Sequence, residues 1–227
     1  MKKLRVFTAF SGYDSQCLAL DRLSRDFPEF DYELVGWSEI DPFAIQAHNA
    51  LYPKAAHLNF GDISKINWGG QVADFDLFTY SFPCQDISNA GHKKGFEKGS
   101  GSRSSLLWEC RKAIEIKRPK YLLLENVKAL VSKKFKPNFL EWLNVLEDLG
   151  YKNYWQVLNA KDFGVPQNRE RVFCISIRND GENPTYQFPE PFELDKVLED
   201  VMQSNVEESY FLSDERVQTL LDTMADE

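Results

Sequence analysis

The sequence predicts an α/β fold built on a mostly parallel sheet with helices on both faces. Apolar strands alternate with helical segments through most of the chain, and such alternation is typical of parallel sheets whose crossovers are helices. The 227 residues, 43% of them hydrophobic, are enough to bury a sizeable core.

The elements follow in order. The apolar run 4–10 predicts a buried strand, and four apolar side chains at helical spacing (Cys17, Leu20, Leu23 and Phe27) predict the helix after it. A second strand, 32–37, leads to a helix that Asp41 caps with Pro42 at its first position. Further strands are expected at 75–80, 121–124, 154–158 and 172–177, and helices at 104–116 and 139–149.

Composition excludes several classes of protein. No apolar run is long enough to cross a bilayer and no signal sequence opens the chain, which predicts a cytoplasmic location. The four cysteines are widely spaced without paired motifs, so neither a disulfide framework nor a metal site is expected. The net charge is −8, yet segment 92–136 carries 13 Lys and Arg against 4 Glu. That segment is either a surface for phosphates or a solvated face of ordinary helices.

The turn after the first strand predicts a nucleoside-type pocket. Phe10, Ser11, Gly12, Tyr13 and Asp14 form a glycine-containing turn before a helix, where backbone N–H groups can approach a ligand. Glu39, after the second strand, could accept hydrogen bonds from a ribose. Asp62 could receive an adenine amino group, with Ile40 and Ile63 on either side of the ring. The alternative is that Glu39 and Asp62 are a helix cap and a turn residue.

Reactive side chains are predicted at the ends of three later strands. Cys84 stands after Pro83 on a loop, Glu125 follows an apolar strand, and Arg169 and Arg171 precede another. Ligands of open α/β sheets bind beyond the carboxyl ends of the strands, where these groups are expected to meet. The alternatives are a buried structural cysteine and a buried ion pair between strand ends.

Four motifs in this order resemble those of the cytosine-5 DNA methyltransferases, especially bacterial restriction-modification enzymes. They are Ser81-Phe82-Pro83-Cys84-Gln85, Glu125-Asn126-Val127, residues 162–167 (DFGVPQ) and residues 167–171 (QNRER), and the likeness covers Leu4 to about Ile177. The resemblance implies a Rossmann-like S-adenosylmethionine-dependent methyltransferase fold, S-adenosyl-L-methionine as cofactor and double-stranded DNA as partner.

The resemblance also implies a role for each matching residue. The Cys84 thiolate adds to C6 of a flipped cytosine, which makes C5 nucleophilic. Glu125, kept protonated in a dry site, donates to N3, and Arg171 neutralises O2. Arg169 holds the loop or a backbone phosphate. Two further cofactor contacts are expected, at Pro83 and Leu107.

The segment after the cysteine is predicted to meet DNA. Residues 89–105 are rich in Gly, Ser, Lys and Arg and resemble the family's mobile catalytic loop; the alternative is a surface loop without a partner. The expected DNA contacts are Gln85, Ser88, Lys93, Lys94, Arg103 and Gln167.

The chain departs from the family pattern in two places. Thr8 stands where an acid is usual, and Asp14-Ser15 replace a glycine pair, so Asp14 is expected to contact the methionine amine. Residues 1–178 are predicted to form the cofactor-binding and catalytic core. Residues 179–227 are an acidic linker or tail, with a possible helix capped by Ser213, too short for a target-recognition domain.

Target recognition is therefore expected from a missing C-terminal region or a second chain. The sequence agrees with three functions. They are DNA cytosine-5 methylation, tRNA cytosine-5 methylation on the same scaffold, and a non-catalytic partner of another methyltransferase.

Overall fold

The computed structural model describes residues 2–83 and 106–225. Six strands and five helices make up the regular structure of these ranges. The strands are β1 (Leu4–Ala9), β2 (Tyr32–Ser38), β3 (Leu77–Tyr80), β4 (Tyr121–Val127), β5 (Tyr151–Asn159) and β6 (Glu170–Arg178). The helices are α1 (Ser15–Asp26), α2 (Pro42–Leu51), α3 (Leu107–Lys117), α4 (Lys136–Asp148) and α5 (Asp214–Ala225), joined in places by short 3₁₀ turns.

All six strands form one sheet in the order β2-β1-β3-β4-β6-β5. β2, β1, β3 and β4 pair in parallel, whereas β6 runs antiparallel to both β4 and β5. The prediction of a mostly parallel sheet is confirmed. The reversed direction of β6 places its first residues at the edge where β3 and β4 end, because antiparallel neighbours begin where their partners finish.

One face of the sheet carries the main core. Helices α3 and α4 cover this face with apolar side chains such as Ile114 and Trp142, both fully buried. Along β4 the even-numbered residues Leu122, Leu124 and Asn126 are buried, and the odd-numbered Leu123 and Glu125 are half-buried. This alternation shows that β4 has one closed face and one open face.

Helix α1 lies on the open face and covers only part of it. Its buried residues are Cys17 and Leu20. Asp14 caps α1 by accepting from Cys17 N at 3.1 Å. Asp41 caps α2 with Pro42 at the first position, and this second cap was predicted from the sequence. The partial cover leaves room for a cavity beside α1.

Several boundaries differ from the predicted ones. β4 continues through Val127, so Glu125-Asn126-Val127 lies inside the strand rather than after it. β5 and β6 are longer than predicted because strand pairing extends beyond their apolar residues. After β6, residues 179–225 form two 3₁₀ turns and α5, and many of their large apolar side chains are exposed.

Gly36 is required by close packing within β2. A Cβ built at Gly36 would lie 2.7 Å from Phe7 Cε2 and 2.8 Å from Phe60 Cε2. Phe7 is fully buried and contacts Trp68 and Phe75, with ring centroids 5.0 Å and 5.4 Å away, so it has little room to move.

We expect Gly36→Ala to lower the free energy of unfolding by about 1–3 kcal/mol, the usual cost of overpacking a core. The change is measured by denaturant unfolding. Gly69→Ala is the control, because the nearest atom to its added Cβ is 3.9 Å away. Equal stability of the two variants would contradict this interpretation of Gly36.

Candidate active site

A cavity of about 750 Å³ opens on the uncovered face of the sheet, beside α1. Its walls come from the turn after β1, the first turns of α1, the ends of β3 and β4, and the loop between β5 and β6. Residues on this wall include Phe10, Ser11, Tyr13, Gln16, Ser81, Leu123, Glu125, Phe163, Arg169, Arg171 and Phe173. The cavity therefore brings together part of the predicted cofactor turn and three of the predicted catalytic residues.

An ion pair joins two of those residues across the sheet. Arg171 Nε lies 3.1 Å from Glu125 Oε1, and both side chains are mostly buried, with 22% and 23% of their surface exposed. The antiparallel register of β4 and β6 sets Arg171 opposite Val127, two residues from Glu125. The expected meeting of acid and cation occurs, although Arg171 stands at the beginning of an antiparallel strand and not at a carboxyl end.

The contact between Glu125 and Arg171 agrees with one alternative from the sequence analysis, an ion pair between two strand ends. Its place on the cavity wall separates it from a structural pair in the core. A mostly buried acid and guanidinium that face an open cavity form a ready-made site for a planar polar ligand.

Asn126 fixes the segment that leads into the predicted nucleophile. It is buried, and its Nδ2 donates to the carbonyl oxygen of Phe82 at 2.9 Å. Phe82 is itself 1% exposed. Cys84 lies outside the described residues, as do the predicted DNA contacts Gln85, Ser88, Lys93, Lys94 and Arg103.

The other three cysteines of the chain are poor nucleophiles. Cys17, Cys110 and Cys174 are free thiols buried in the described part of the structure. Burial raises the thiol pKa of each of them, that of Cys174 to about 12, so each is protonated at neutral pH. By elimination, Cys84 is the remaining candidate among the four cysteines of the chain.

The turn after β1 has an unusual backbone. Phe10, Gly12 and Asp14 all have positive φ angles, of 55°, 58° and 67°. Gly12 N donates to Glu39 Oε2 at 3.0 Å, while Glu39 Oε1 accepts from the backbone N–H groups of Ile40 and Asp41. The turn and the end of β2 are therefore held together by the Glu39 carboxylate.

Asn59 was not predicted from the sequence, yet it organises the second half of this region. Its Oδ1 accepts from Glu39 N at 3.2 Å and from Gly61 N at 2.9 Å, and its Nδ2 donates to Glu39 O at 3.2 Å. Asp62 follows and is half-buried, and its Oδ1 accepts from Ser64 N and Ser64 Oγ. These hydrogen bonds lower the pKa of Asp62, which caps the 3₁₀ turn Ile63–Lys65.

Two predicted cofactor contacts are wrong for their side chains. The side chain of Asp14 is 0% exposed and points inward, accepting from Thr8 Oγ1 at 2.7 Å and capping α1, so it cannot reach a methionine amine. Leu107, the first residue of α3, is also 0% exposed, because its side chain packs in the core. The preceding Leu106 is half-buried. Ile63 is 4% exposed, which leaves little of it for a ring, whereas Ile40 is 67% exposed.

The loop between β5 and β6 carries the remaining predicted residues. Asn159 Oδ1 accepts from Arg169 N at 3.0 Å, and Asn159 Nδ2 donates to Asn168 Oδ1 at 2.7 Å. Arg169 and Gln167 are exposed, and Arg169 lines the cavity. Asn159 thus holds the arginine loop against the end of β5.

Much of the basic segment that the structure describes is neutralised. Its cations pair with acids in Lys112–Glu109, Arg111–Glu115, Lys117–Asp74, Lys120–Asp180 and Lys128–Glu170. For α3 and its neighbours, the ordinary solvated face is therefore the better interpretation. In residues 2–83 and 106–225, no group of three or more metal-ligating side chains is found, and no helix is long and apolar enough to cross a membrane.

Comparison with solved structures identifies the class of the fold. The fission yeast (S. pombe) Dnmt2 methyltransferase superposes with a TM-score of 0.68 at 21% identity, over 95% of this chain and 64% of that one. The chain thus shares the fold of this methyltransferase.

The family follows from the sequence match. Residues 4–226 match the model of the C-5 cytosine-specific DNA methylases, and the chain belongs to that family. It is 42% identical to the type II methyltransferase M2.ScrFI of Lactococcus lactis subsp. cremoris, over 94% of this chain and 71% of the relative. It is 34% identical to the orphan methyltransferase M.SssI of Spiroplasma monobiae, over 88% of this chain and 66% of the relative. The chain spans about two thirds of the length of these proteins.

Proposed function

We propose that the chain transfers a methyl group from S-adenosylmethionine to C5 of cytosine in DNA, through a covalent bond between Cys84 and C6. The Glu125–Arg171 pair on the cavity wall is the observation that carries this proposal. Family membership supports the reaction class, and the type II relative supports a role as the modification enzyme of a restriction-modification system.

The region around Glu39 fits the nucleoside part of the cofactor. A Cβ built at Gly12 would meet no atom within 4 Å, so the backbone of the turn is open to a ligand. Beside it stand a carboxylate, Glu39, for ribose hydroxyls, and the exposed Ile40 for the ring. Asp62 would accept from the adenine amino group, and Phe10, Ser11 and Pro83 would line the remainder. S-adenosylmethionine supplies an electrophilic methyl group on a sulfonium.

The chemistry on the base is assigned to this chain's own residues. The Cys84 thiolate adds to C6, and Glu125 gives a proton to N3, which leaves an electron-rich double bond at C5. Arg171 neutralises the charge that develops at O2. After methylation, loss of the C5 proton and departure of Cys84 restore the ring, and the N3 proton returns to Glu125.

Glu125 and Arg171 suit these roles because their side chains already pair on the cavity wall, where a cytosine edge could meet both. Arg171 contacts Oε1 of Glu125, and the other carboxyl oxygen can serve N3. The cavity wall around them is partly apolar, with Phe173 and Leu123 beside the pair, and such surroundings strengthen hydrogen bonds to charge.

Contacts to DNA complete the proposal. Gln167 and Arg169 are exposed on the loop between β5 and β6, and Arg169 lines the cavity, so both could contact the target strand or its phosphates. Gln85, Ser88, Lys93, Lys94 and Arg103 follow the nucleophile in sequence and would contact the strand around the flipped base. Selection of a particular DNA site is assigned to a further region or a second chain.

The test is methyl transfer from tritiated S-adenosylmethionine to unmethylated duplex DNA of mixed sequence, with tRNA in a parallel reaction. We expect label in DNA, recovered as 5-methylcytosine after digestion. If only the tRNA is labelled, the substrate is RNA and not DNA. If neither is labelled although the cofactor binds, the reaction is repeated with a longer chain or an added second chain that supplies target recognition. No label in that reaction would favour a non-catalytic partner and contradict the proposal.

A further inference from the structure

The turn from Phe10 to Asp14 needs support from its surroundings. Two of its three residues with positive φ, Phe10 and Asp14, are not glycine. Residues with side chains are disfavoured in this region and persist there only where neighbouring groups hold them. Because the turn is the proposed contact with the cofactor, whatever holds it also sets cofactor affinity.

The Asp14 carboxylate is the organising group of the turn. It accepts from Thr8 Oγ1 at 2.7 Å and from Cys17 N at 3.1 Å, and its Oδ2 lies 3.5 Å from His48 Nε2. Asp14 and His48 are both 0% exposed. A carboxylate this deeply buried requires donors on every side, because its hydration has been removed.

His48 is held in place from its other side. Its ring stacks on Trp37 with centroids 3.6 Å apart and planes 14° from parallel. Trp37 is fixed in turn by a hydrogen bond from its Nε1 to Ala55 O at 2.9 Å. Trp37 lies in β2 just before Ser38 and Glu39, the carboxylate that accepts from Gly12 N. His48 therefore connects the two segments that flank the proposed cofactor site.

Packing alone does not explain why a histidine, with two polar ring nitrogens, stands at position 48. Neither ring nitrogen makes a hydrogen bond of good geometry within the described residues, although Nε2 stands at ion-pair distance from Asp14. A phenyl ring would fill the same space on Trp37. A buried imidazole whose Nε2 stands at ion-pair distance from a buried carboxylate indicates that a polar ring is needed beside Asp14.

We propose that His48 is a positioning residue, which acts through the Asp14 carboxylate to hold the Phe10–Asp14 turn in the conformation that binds S-adenosylmethionine. This inference rests on the proposed function, since it takes the turn to be a cofactor contact. His48 touches neither cofactor nor base. Its effect falls on cofactor affinity and not on the chemical step.

Three variants of the purified chain test this role by calorimetric titration with S-adenosylhomocysteine, the product, which binds without turnover. His48→Phe keeps the stack on Trp37 and removes the polar nitrogen that faces Asp14. We expect it to weaken binding by about tenfold or more, the effect of taking a polar partner from a buried charge. His48→Gln keeps a donor and should stay within about threefold of the original. His57→Gln, at an exposed histidine, is the matched control and should leave affinity unchanged.

The outcomes separate the possible failures. If the unaltered chain does not bind the product, the proposed function fails first. If it binds and His48→Phe binds equally well, or if Phe and Gln weaken binding equally, the positioning role is overturned. A purely structural role would lower the melting temperature and leave the affinity of the folded protein unchanged.

Asp14→Asn keeps the inference testable if His48→Phe does not fold. It conserves volume and the acceptor for Cys17 N but removes the charge that faces His48. We expect the same loss of affinity, and affinity equal to that of the unaltered chain would overturn the proposal. Where both variants fold, the double variant should lose no more than either single one, because both changes break one contact.

Discussion

Replacing Cys84 by alanine is expected to reduce methyl transfer to DNA by about 10⁴-fold or more, the scale of losing a covalent nucleophile. C5 of cytosine is too weak a nucleophile to take a methyl group until a thiolate has added at C6. Cys84 is assigned to this step because the other three cysteines are buried thiols with raised pKa values. The measurement is tritium incorporation into duplex DNA at saturating cofactor.

Cys174→Ala is the matched control, because it removes a buried thiol of raised pKa that cannot act as a nucleophile at neutral pH. It should retain methyl transfer at a temperature where the variant is folded. Loss of activity in Cys174→Ala together with full activity in Cys84→Ala would reverse the assignment of the nucleophile.

Replacing Glu125 by glutamine is expected to lower the rate of methyl transfer by about 10²–10⁴-fold, the usual contribution of a positioned general acid. Glutamine conserves size but cannot give a proton to N3, and it replaces the carboxyl group that contacts Arg171. We expect the loss in kcat and not in cofactor affinity, since Glu125 is assigned to the base. Single-turnover kinetics with saturating cofactor measure it.

Glu170→Gln provides the control for that loss. Glu170, the first residue of β6, forms an ion pair with Lys128, the residue directly after β4, and 42% and 58% of these side chains are exposed. An exposed pair of this kind contributes little to stability. Equal loss of activity in Glu170→Gln and Glu125→Gln would show that the loss comes from disturbing the pairing of β4 with β6. It would then not come from the missing proton donation to N3 of the base.

The order of strands and helices was predictable because each element has a local sequence signal. Alternating apolar segments gave all six strands, and the Asp41-Pro42 cap gave the start of α2. The direction of β6 was not predictable in this way, because apolar periodicity is the same for parallel and antiparallel strands. That direction brings Arg171 within 3.1 Å of Glu125, so the geometry of the pair came from tertiary structure.

The candidate site was predicted unevenly for a related reason. Glu39 directly follows β2, as predicted from the sequence. Glu125 and Arg171 stand on motifs and meet on the cavity wall, although Glu125 lies inside β4 and not after it. Asp14 was misread because a polar residue in a glycine turn is ordinarily exposed, whereas here its carboxylate turns inward to Thr8 and Cys17. His48 and Asn59 carry no motif, and only folding sets them beside Asp14 and Glu39.

The most direct test of the central claim is to trap the covalent intermediate. Duplex DNA with 5-fluorocytosine at its cytosines is incubated with the chain and S-adenosylmethionine, because fluorine at C5 blocks the release of the enzyme. We predict a stable protein–DNA adduct whose digestion places the modified base on Cys84, and no adduct from Cys84→Ser. An adduct at another residue, or methyl transfer to ordinary DNA without any adduct, would contradict the account.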